Sequence, residues 1–324
     1  MTKVDLLIVG AGPVGLFGAY YAGFREMSVA VMDSLPEPGG QVTAMYPEKP
    51  IYDVAGFPAV KGRDLVTGLV EQAGRFDPTY LLGHCAQTLE QDGDRFHVTS
   101  REGASVECRA VLVTGGIGTF TPRPLPAGGE YEGRGLAYFV PRPQEYADAD
   151  VVIVGGGDSA FDWALTLHPI ARSVTLVHRR ETFRAHARTV RQVREAGVEI
   201  LTSSQVAALR GDPEVESVEV VHTPTGERRE LKAQRVVAAL GFTANLGPLN
   251  DWGLNVRDRR HIPVDTTMST ARRGVFAAGD ITDYPGKVRL IAVGFGEAAT
   301  AVNNAAVFLD PQAALFPGHS TDAL

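Results

Sequence analysis

The chain has 324 residues, a length that predicts two domains. Hydrophobic residues make up 44% and charged residues 21% of it, which is typical of a globular protein and excludes a largely disordered chain. The net charge of −7 argues against a dedicated nucleic-acid-binding protein, whose surface would usually be strongly basic. The only two cysteines, Cys85 and Cys108, exclude a disulfide-dense secreted scaffold and a four-cysteine metal or iron–sulfur site.

No segment has the character of an export signal or a membrane span. The N-terminus runs directly into the apolar residues 4–9, without the charged start and longer apolar run of a signal peptide. The longest weakly polar stretch, residues 290–309, contains Glu297 and two asparagines among many small residues, so it is a poor transmembrane candidate. We therefore expect a cytoplasmic protein without a metal site and without a membrane or nucleic-acid partner.

The first predicted strand, residues 4–9, leads into a glycine-rich turn, which is followed by an apolar segment of helical character. A second apolar run, residues 29–32, ends at Asp33. Strand, glycine turn, helix, strand and acid, in this order, form the fingerprint of a dinucleotide-binding unit. One glycine makes the tight turn, one lets the backbone approach a pyrophosphate at the helix N-terminus, and one lets the helix pack on the strand. These glycines are Gly10, Gly12 and Gly15.

A second unit of the same kind begins at the apolar strand of residues 151–154 and continues through a glycine turn and a helical segment to the strand of residues 173–177. The last position of its turn holds alanine, which the fingerprint allows. Two units predict two dinucleotide sites and exclude an enzyme with one nucleotide site, such as a methyltransferase. The turn residues expected at the second nucleotide are Gly155, Gly157, Asp158, Ser159 and Ala160.

The residue at the ribose position distinguishes the two sites. Asp33 follows the first glycine turn at the same offset at which His178 follows the second. A carboxylate accepts hydrogen bonds from a ribose 2′-OH and repels a 2′-phosphate, whereas arginines bind a phosphate through bidentate, charge-assisted bonds. The first site therefore fits FAD or NAD, and the second fits NADPH. The basic residues predicted to bind NADPH are His178, Arg179, Arg180 and Arg184.

The arginine-rich segment 172–194 allows two other interpretations. It could be a solvated basic helix face, and the helical spacing of its last three arginines favours a surface position for those three. It could also be a nucleic-acid patch, although Phe183 is the only aromatic residue interleaved with the arginines.

Three apolar strands that end in glycine indicate how the domains are connected. Segments 109–116 and 235–241 each close one half of the chain, and a third such strand, 274–280, ends in Ala-Gly-Asp near the C-terminus. Because a flavin site needs strands from both ends of the chain, we predict an α/β protein with two Rossmann-like domains, one inserted into the other. Two sequential domains without an insertion are the alternative.

The predicted FAD-binding domain consists of residues 1–116 and 246–324, and the predicted NADPH-binding domain of residues 117–245. The two crossings between them are where a hinge for rotation of the inserted domain belongs.

Together these motifs resemble the low-molecular-weight thioredoxin reductases over nearly the whole chain. Longer strings resemble more closely the thioredoxin-reductase-like ferredoxin–NADP⁺ reductases of bacteria. The strings that carry this narrower resemblance are residues 45–49, 51–58, 294–298 and 319–321.

The cysteines agree with the narrower resemblance. A thioredoxin reductase of this build carries a redox dithiol just before its second glycine turn, and residues 133–150 contain no cysteine. Without a dithiol there is no relay from flavin to a disulfide substrate. We interpret Cys85 and Cys108 as core or spectator residues in strand-like surroundings of the first domain.

The resemblance implies FAD contacts in the first domain. Asp33 would bind the adenosine ribose, Ala86 would hold the adenine through its backbone, and Asp280 would bind the ribityl or pyrophosphate part. Gln41 would lie in a Gly-Gly-Gln turn near the flavin, and Phe120 would line the flavin pocket.

Two further residues are implied at the isoalloxazine ring. Tyr46 would stack on one face, although an aromatic residue filling the core is the alternative. Thr300 would start a helix whose N-terminus points at the pyrimidine end and stabilises the reduced flavin anion.

The C-terminal tail is implied to cover the other flavin face, with His319 and Ser320 as tuning residues and Thr321 as a cofactor contact. In relatives this tail comes from the partner subunit, which implies a homodimer. The alternative for His319 is a loose tail residue, since termini are commonly poorly ordered.

The resemblance implies that NADPH gives a hydride to flavin N5 and that single electrons then pass to ferredoxin or flavodoxin, or in the reverse direction. Alternatives are another acceptor, such as a quinone or a small molecule, and an NADPH-sensing flavoprotein without significant turnover. Since ferredoxins are acidic, docking needs a local basic patch. Its candidate residues are Lys49, Arg123, Lys287 and Arg289.

Overall fold

A computed structural model describes residues 1–319 and Thr321. Its contacts form two compact units: unit 1 contains Met1–Phe120 and the chain from Ala244 onward, and unit 2 contains Thr121–Thr243. These crossings differ from the predicted ones, after residue 116 and before residue 246, because Gly118 still packs on the backbone of unit 1. A Cβ at Gly118 would lie 2.4 Å from the carbonyl oxygen of Asn245.

Unit 1 is built on a seven-stranded sheet. Its strands are β1 (Thr2–Val9), β2 (Val29–Asp33), β5 (Thr79–Leu82), β6 (Ala86–Asp92), β7 (Arg95–Ser100), β8 (Ser105–Val113) and β20 (Val275–Ala277). Their order is β5-β2-β1-β8-β7-β6, with β20 also paired to β8. The pairs among β5, β2, β1, β8 and β20 are parallel, and β6 and β7 add an antiparallel extension.

Among the described residues, four α-helices, the short 3-10 helix Gly247–Asp251 and two small strand pairs complete unit 1. The helices are α1 (Pro13–Phe24), α2 (Gln41–Met45), α3 (Gly62–Gly74) and α6 (Ile291–Leu309). The short pairs are β3 (Pro50–Ile51) with β4 (Val60–Lys61), and β19 (Ile262–Pro263) with β21 (Thr282–Asp283). The two crossings run side by side as β9 (Thr119–Pro122) and β18 (Phe242–Asn245).

The centre of unit 1 is the buried parallel strand β1, which pairs with β2 on one side and β8 on the other. Its residues Leu6, Leu7 and Ile8 are fully buried, as expected for a parallel strand covered on both faces. Helix α1 covers one face with small residues, and α6 packs beside it: a Cβ on Gly18 of α1 would lie 3.9 Å from the Cβ of Ala298. Strand β20 and α6, both from the C-terminal segment, therefore complete a sheet and a helical layer begun at the N-terminus.

Helix α6 begins at Ile291, so the prediction that Thr300 starts this helix is wrong. Thr300 lies in the middle of the helix, where its hydroxyl donates to the carbonyl of Gly296 at 2.9 Å. The helix therefore continues through the two glycines that precede Thr300. Of these two, Gly294 is a packing residue: a Cβ there would lie 2.4 Å from Cγ2 of Val14 in α1.

Unit 2 repeats the same plan on a smaller scale. Its strands are β10 (Leu136–Ala137), β11 (Asp150–Gly155), β12 (Ser173–Val177), β13 (Glu199–Leu201), β14 (Ser204–Arg210), β15 (Ser217–His222), β16 (Arg228–Lys232) and β17 (Arg235–Ala239). A parallel sheet has the order β10-β17-β11-β12-β13, and a separate antiparallel sheet has the order β14-β15-β16. Its helices are α4 (Asp158–Leu167) and α5 (Ala187–Glu195).

Candidate functional site

The three glycines of the first turn have three different steric environments. A Cβ at Gly10, where φ is +118°, would lie 2.6 Å from the carbonyl oxygen of Thr114. A Cβ at Gly15 would lie only 1.9 Å from the carbonyl oxygen of Gly10, so the start of α1 packs directly on the turn. At Gly12, the residue that caps α1, no atom lies within 4 Å of the corresponding position. The turn is therefore closed by its outer glycines and open above its middle one.

Asp33 ends β2 and joins two neighbouring turns through its carboxylate. One oxygen accepts the backbone N–H of Ala11 at 2.6 Å, and the other accepts that of Leu35 at 2.8 Å. Burial raises the pKa of Asp33, and the two backbone hydrogen bonds oppose that rise. Each carboxylate oxygen keeps a further lone pair. Asp33 can thus hold the glycine turn and still accept hydrogen bonds from a ligand.

These residues border a cleft of about 310 Å³ within unit 1. Glycines of four separate segments line it, among them Gly115 and Gly116 after β8 and Gly279 after β20. Most of the predicted FAD residues are brought together here. They are Gly10, Gly12, Asp33, Gln41, Tyr46, Ala86 and Asp280.

Other residues predicted to bind FAD do not line the cleft or have side chains that the structure does not describe. Gly15 and Thr300 do not line the cleft, and Ile291, the first residue of α6, lines it where the sequence had suggested Thr300. Phe120 lies in β9, but its side chain is outside the described part of the structure.

Tyr46 follows α2 and lies both against the apolar core and at the cleft. Its ring packs partly buried on the apolar cluster that includes Val42 and Leu65, and the residue also lines the cleft. Burial raises the pKa of Tyr46, and the negative charges of Asp280 and Asp53 raise it further. The hydroxyl therefore stays protonated and can donate a hydrogen bond at neutral pH. The side chain of Gln41 also lies at the cleft, since a Cβ on Gly116 would lie 2.9 Å from its Nε2.

Asp280 is an acceptor without a hydrogen-bond donor among the described residues. It is half-buried at the cleft, and burial raises its pKa while the charges of Lys287 and Arg289 lower it. A half-buried carboxylate of this kind suits a ligand that offers hydroxyl groups.

Behind Asp280 lies a buried carboxylate that the sequence analysis did not assign. Glu297 of α6 is 5% exposed and accepts the backbone N–H of Gly279 at 2.7 Å. It also accepts the hydroxyl of Tyr284 at 2.6 Å and the ammonium of Lys287 at 2.5 Å. The string around Glu297 contributed to the family resemblance, but nothing local in the sequence indicates that this acid is buried. These bonds fix the Gly279–Asp280 turn.

The same contacts contradict Lys287 as a docking residue. Its side chain is 3% exposed and its ammonium is bound to Glu297, so it cannot contact a protein partner. Arg123 and Arg289 are exposed, and Lys49 is half-buried.

The second glycine turn, in unit 2, resembles the first: its first glycine is in close contact with the backbone, and a later glycine has open space above it. A Cβ at Gly155 would lie 2.5 Å from the carbonyl oxygen of Ala239, and one at Gly157 would meet no atom within 4 Å. Ala160 is fully buried in α4, while Asp158 and Ser159 are exposed at the helix start. The position above Gly157 is thus open, as it is above Gly12.

His178 packs on the second turn. A Cβ at Gly156 would lie 2.2 Å from Cε1 of its imidazole, and Nε2 lies 3.2 Å from the carbonyl oxygen of Thr182. Burial lowers the pKa of His178, and the charges of Arg179 and Arg180 lower it further. The imidazole is therefore neutral at pH 7 and serves the turn as a packing group.

The predicted arginines of this loop are exposed and unpaired. Arg179, Arg180 and Arg184 form no ion pair with any acidic side chain in the described residues. Several other arginines of unit 2 are neutralised, among them Arg172 by Asp150 at 2.9 Å. Three uncompensated guanidinium groups beside a glycine turn can bind a phosphate.

The C-terminal tail leaves α6 and passes the far end of α1. Arg25, directly after α1, donates to the carbonyls of residues 314 and 315 at 2.8 and 3.3 Å. The glycine turn lies at the opposite end of α1, about 18 Å away for a helix of this length.

The tail residues predicted at the flavin do not line the cleft of their own chain. His319 packs edge-on against the exposed ring of Phe316, with 5.2 Å between ring centroids, and Thr321 is exposed. Ser320 lies outside the described residues.

The two cysteines are free, and they occupy different environments. Cys108 is buried in β8, where burial raises the pKa of its thiol to about 12. Cys85 is not in a strand: it precedes β6, its backbone N–H donates to the carboxylate of Glu102 at 2.7 Å, and it lines the cleft. The expectation of strand-like surroundings is therefore wrong for Cys85.

Within the described residues there is no group of three or more His, Cys, Asp or Glu side chains arranged to hold a metal ion. None of the helices in the described part of the chain is both long and apolar enough to cross a membrane.

Residues 4–305 match the family model of the pyridine nucleotide-disulphide oxidoreductases. The chain is 67% identical over 316 residues to a ferredoxin–NADP reductase of Frankia alni, with 98% of each chain covered. It is 49% identical over 324 residues to a ferredoxin–NADP reductase of Thermus thermophilus, with 98% of this chain and 96% of the relative covered.

Among solved structures, the chain resembles the thioredoxin reductase of T. acidophilum with a TM-score of 0.81 and 24% identity, over 97% of this chain and 100% of that one. It resembles the thioredoxin reductase of Lactococcus lactis with a TM-score of 0.79 and 25% identity, over 95% and 99%. The predicted fold class, α/β with two Rossmann-like domains, is confirmed.

Proposed function

Because the chain belongs to the ferredoxin–NADP reductases within the pyridine nucleotide-disulphide oxidoreductase family, we propose that it passes electrons between NADPH and ferredoxin or flavodoxin through bound FAD. The prediction of an oxidoreductase is confirmed by this membership, and the protein is an NADPH-linked flavoprotein oxidoreductase. The observation that carries the finer proposal is the contrast between the two glycine turns. One ends at a half-buried acid, Asp33, and the other is followed by three exposed arginines that form no ion pair among the described residues.

The cleft of unit 1 fits FAD. The open position above Gly12 supports the approach of a pyrophosphate to the N-terminus of α1, where the backbone N–H groups and the helix dipole favour negative charge. Asp33 would bind the ribose hydroxyls with its remaining lone pairs, and the backbone at Ala86 would hold the adenine. The free carboxylate of Asp280 would accept hydrogen bonds from hydroxyls of the ribityl chain.

Tyr46, Gln41 and Phe120 would surround the isoalloxazine ring. The half-buried, protonated Tyr46 supplies an uncharged aromatic face, and the packing of its ring on Val42 limits its movement. The start of α6 at Ile291 would direct its dipole toward the cleft. When bound, FAD supplies the chemistry that the side chains lack, since it takes a hydride at N5 and releases electrons one at a time.

In unit 2, Gly157 would admit the NADPH pyrophosphate and Ser159 would lie at its edge. Arg179, Arg180 and Arg184 would bind the 2′-phosphate, because they are exposed and uncompensated. The neutral His178 would shape the turn below them.

We also propose a homodimer in which the tail of one subunit covers the flavin of the other. The bonds from Arg25 support this arrangement, because they direct the tail away from the cleft of its own chain. His319, Ser320 and Thr321 would then act in the partner's site. Arg289 remains a candidate for docking an acidic carrier near the cleft, since its charge is exposed and acts on Asp280.

The experiment is a visible absorption spectrum of the purified protein, followed by anaerobic addition of NADPH or NADH and then a small ferredoxin. We expect a flavin spectrum that NADPH bleaches far more readily than NADH and that ferredoxin restores quickly. A colourless protein that takes up no added FAD would refute the flavin assignment. If NADPH bleaches the flavin but neither ferredoxin nor flavodoxin restores its spectrum, the proposed electron carriers are refuted, and the proposal of two nucleotide sites stands.

A further inference from the structure

Asp158 occupies a position where an acid is unexpected. It is the first residue of α4, directly after Gly157, and a dinucleotide-binding turn presents this helix N-terminus to a pyrophosphate. The helix dipole stabilises a carboxylate at this position, but the carboxylate repels a phosphate. An acid at this position therefore weakens nucleotide binding unless it has another effect.

The carboxylate of Asp158 is bound to the loop that carries the arginines. Its Oδ1 accepts the backbone N–H of His186 at 2.8 Å. Next to it, the carbonyl of Gly156 accepts the N–H groups of Arg184 at 2.8 Å and Ala185 at 3.3 Å. Three consecutive N–H groups of the loop are thus held by the glycine turn and the first residue of α4.

The other end of the arginine loop is fixed as well. The backbone N–H of His178 donates to Leu201 at 2.8 Å, and its carbonyl accepts the N–H of Ser204 at 3.0 Å. Phe183 packs edge-on against Phe161 of α4, with 4.8 Å between ring centroids. Arg179 to Thr182 lie between these anchors, and all four are exposed.

We propose that Asp158 is a positioning residue for the selection of NADPH over NADH. It acts through His186 by holding the arginine loop against the glycine turn, so that Arg184 and its neighbours converge where a 2′-phosphate lies. This role differs from the direct cofactor contact expected from the fingerprint, and it rests on the proposed binding of NADPH to unit 2. The hydrogen bond to His186 needs only an acceptor oxygen, so asparagine at position 158 would preserve it and alanine would not.

The proposal is tested by calorimetric binding of adenosine 2′,5′-bisphosphate and of ADP to the FAD-loaded full chain. We expect Asp158→Ala to weaken binding of the 2′-phosphorylated ligand about tenfold or more and to leave ADP binding unchanged or slightly tighter, because a repelling charge is removed. Asp158→Asn should keep the discrimination of the wild type. With ferricyanide as acceptor, Asp158→Ala should raise the KM for NADPH without a matching change for NADH or in kcat.

Two variants test the donor side of the same bond. His186 has φ −58° and ψ 132°, which proline accepts, so His186→Pro removes the N–H. His186→Ala removes only the imidazole, whose Nδ1 accepts the N–H of Arg188 at 3.3 Å. We expect His186→Pro to lose discrimination as Asp158→Ala does, and His186→Ala to keep it. Glu195→Ala, which removes an exposed acid at the end of α5, is the control for loss of one negative charge.

Equal weakening of both ligands by Asp158→Ala, or unchanged discrimination, would overturn the proposal. So would an Asp158→Asn variant that behaves like Asp158→Ala. These results are distinct from a failure of the proposed function, in which the wild-type chain itself would bind the bisphosphate no more tightly than ADP.

Discussion

Lys287 and Glu297 form an ion pair, with 2.5 Å between Nζ and Oε1, in which neither side chain reaches solvent to a significant extent. The carboxylate is also bonded to the N–H of Gly279, the residue before Asp280. Two buried charges therefore stabilise the turn that borders the proposed flavin site, and each requires the other.

Removing one partner of this pair should be far more harmful than removing both. In Glu297→Gln the buried ammonium of Lys287 loses the carboxylate to which it is bound, so we expect a loss of about 3 kcal/mol in the free energy of unfolding. The double variant Lys287→Met with Glu297→Gln should recover most of it. Urea unfolding of the FAD-free protein measures both values, and equal losses in the single and double variants would contradict the pairing.

Two alanine substitutions in the first turn should have opposite outcomes. Gly12→Ala meets no neighbouring atom, so we expect its unfolding free energy within about 1 kcal/mol of the wild type and its FAD affinity to be reduced severalfold by the new methyl group. Gly15→Ala places its Cβ 1.9 Å from the carbonyl of Gly10 and should give little folded protein. Thermal unfolding and fluorescence titration with FAD distinguish the two. A Gly12→Ala protein that binds FAD normally would refute the position of the pyrophosphate.

The exposed arginines should determine nucleotide choice. We expect Arg179→Ala with Arg180→Ala to raise the KM for NADPH by about 10²-fold, as two charge-assisted hydrogen bonds of about 1.5 kcal/mol each are lost, and to leave the KM for NADH nearly unchanged. Arg188→Ala, on the exposed surface of α5, is the matched control and should have little effect. Comparable losses for NADPH and NADH would instead place these arginines at the pyrophosphate.

Asp280 should make the FAD-free protein less stable as pH rises. Because burial raises the pKa of this carboxyl in the folded state, the folded protein binds its proton more tightly than the unfolded chain. The stabilising contribution is present below the ordinary value of 3.8 and is lost as pH rises through the higher folded pKa. Asp280→Asn should therefore be more stable than the wild type at pH 7, with a difference that shrinks as pH falls to 4. Urea unfolding at several pH values checks this, and a constant difference would contradict it.

The glycine turns could be predicted in detail because their roles are local. Gly10, Gly12 and Gly15 act within one turn and one helix start, and the structure gives them separate environments of the expected kind. The positions of Asp33 and of the arginines after His178 could be predicted in the same way, because one helix and two strands set their distance from the turn.

Features that depend on distant packing could not be predicted in this way. Gly294 resembles a helix break in sequence, and only the approach of Val14 shows it to be a contact inside α6. Lys287 resembles a surface charge, and only its burial against Glu297 shows otherwise. In both cases the deciding partner belongs to another element, so no local pattern contains the information.

The pairing of β20 with β8 has a consequence for the order in which the protein is made. A ribosome releases the chain from its N-terminus, and the inserted unit, Thr121–Thr243, is continuous in sequence. It can fold as soon as it has emerged, while the earlier half of unit 1 still lacks β20 and α6. Nascent chains should therefore contain a folded unit 2 and an incomplete sheet of unit 1. The part of β8 that later pairs with β20 is exposed in such chains, and chaperones would have to protect it.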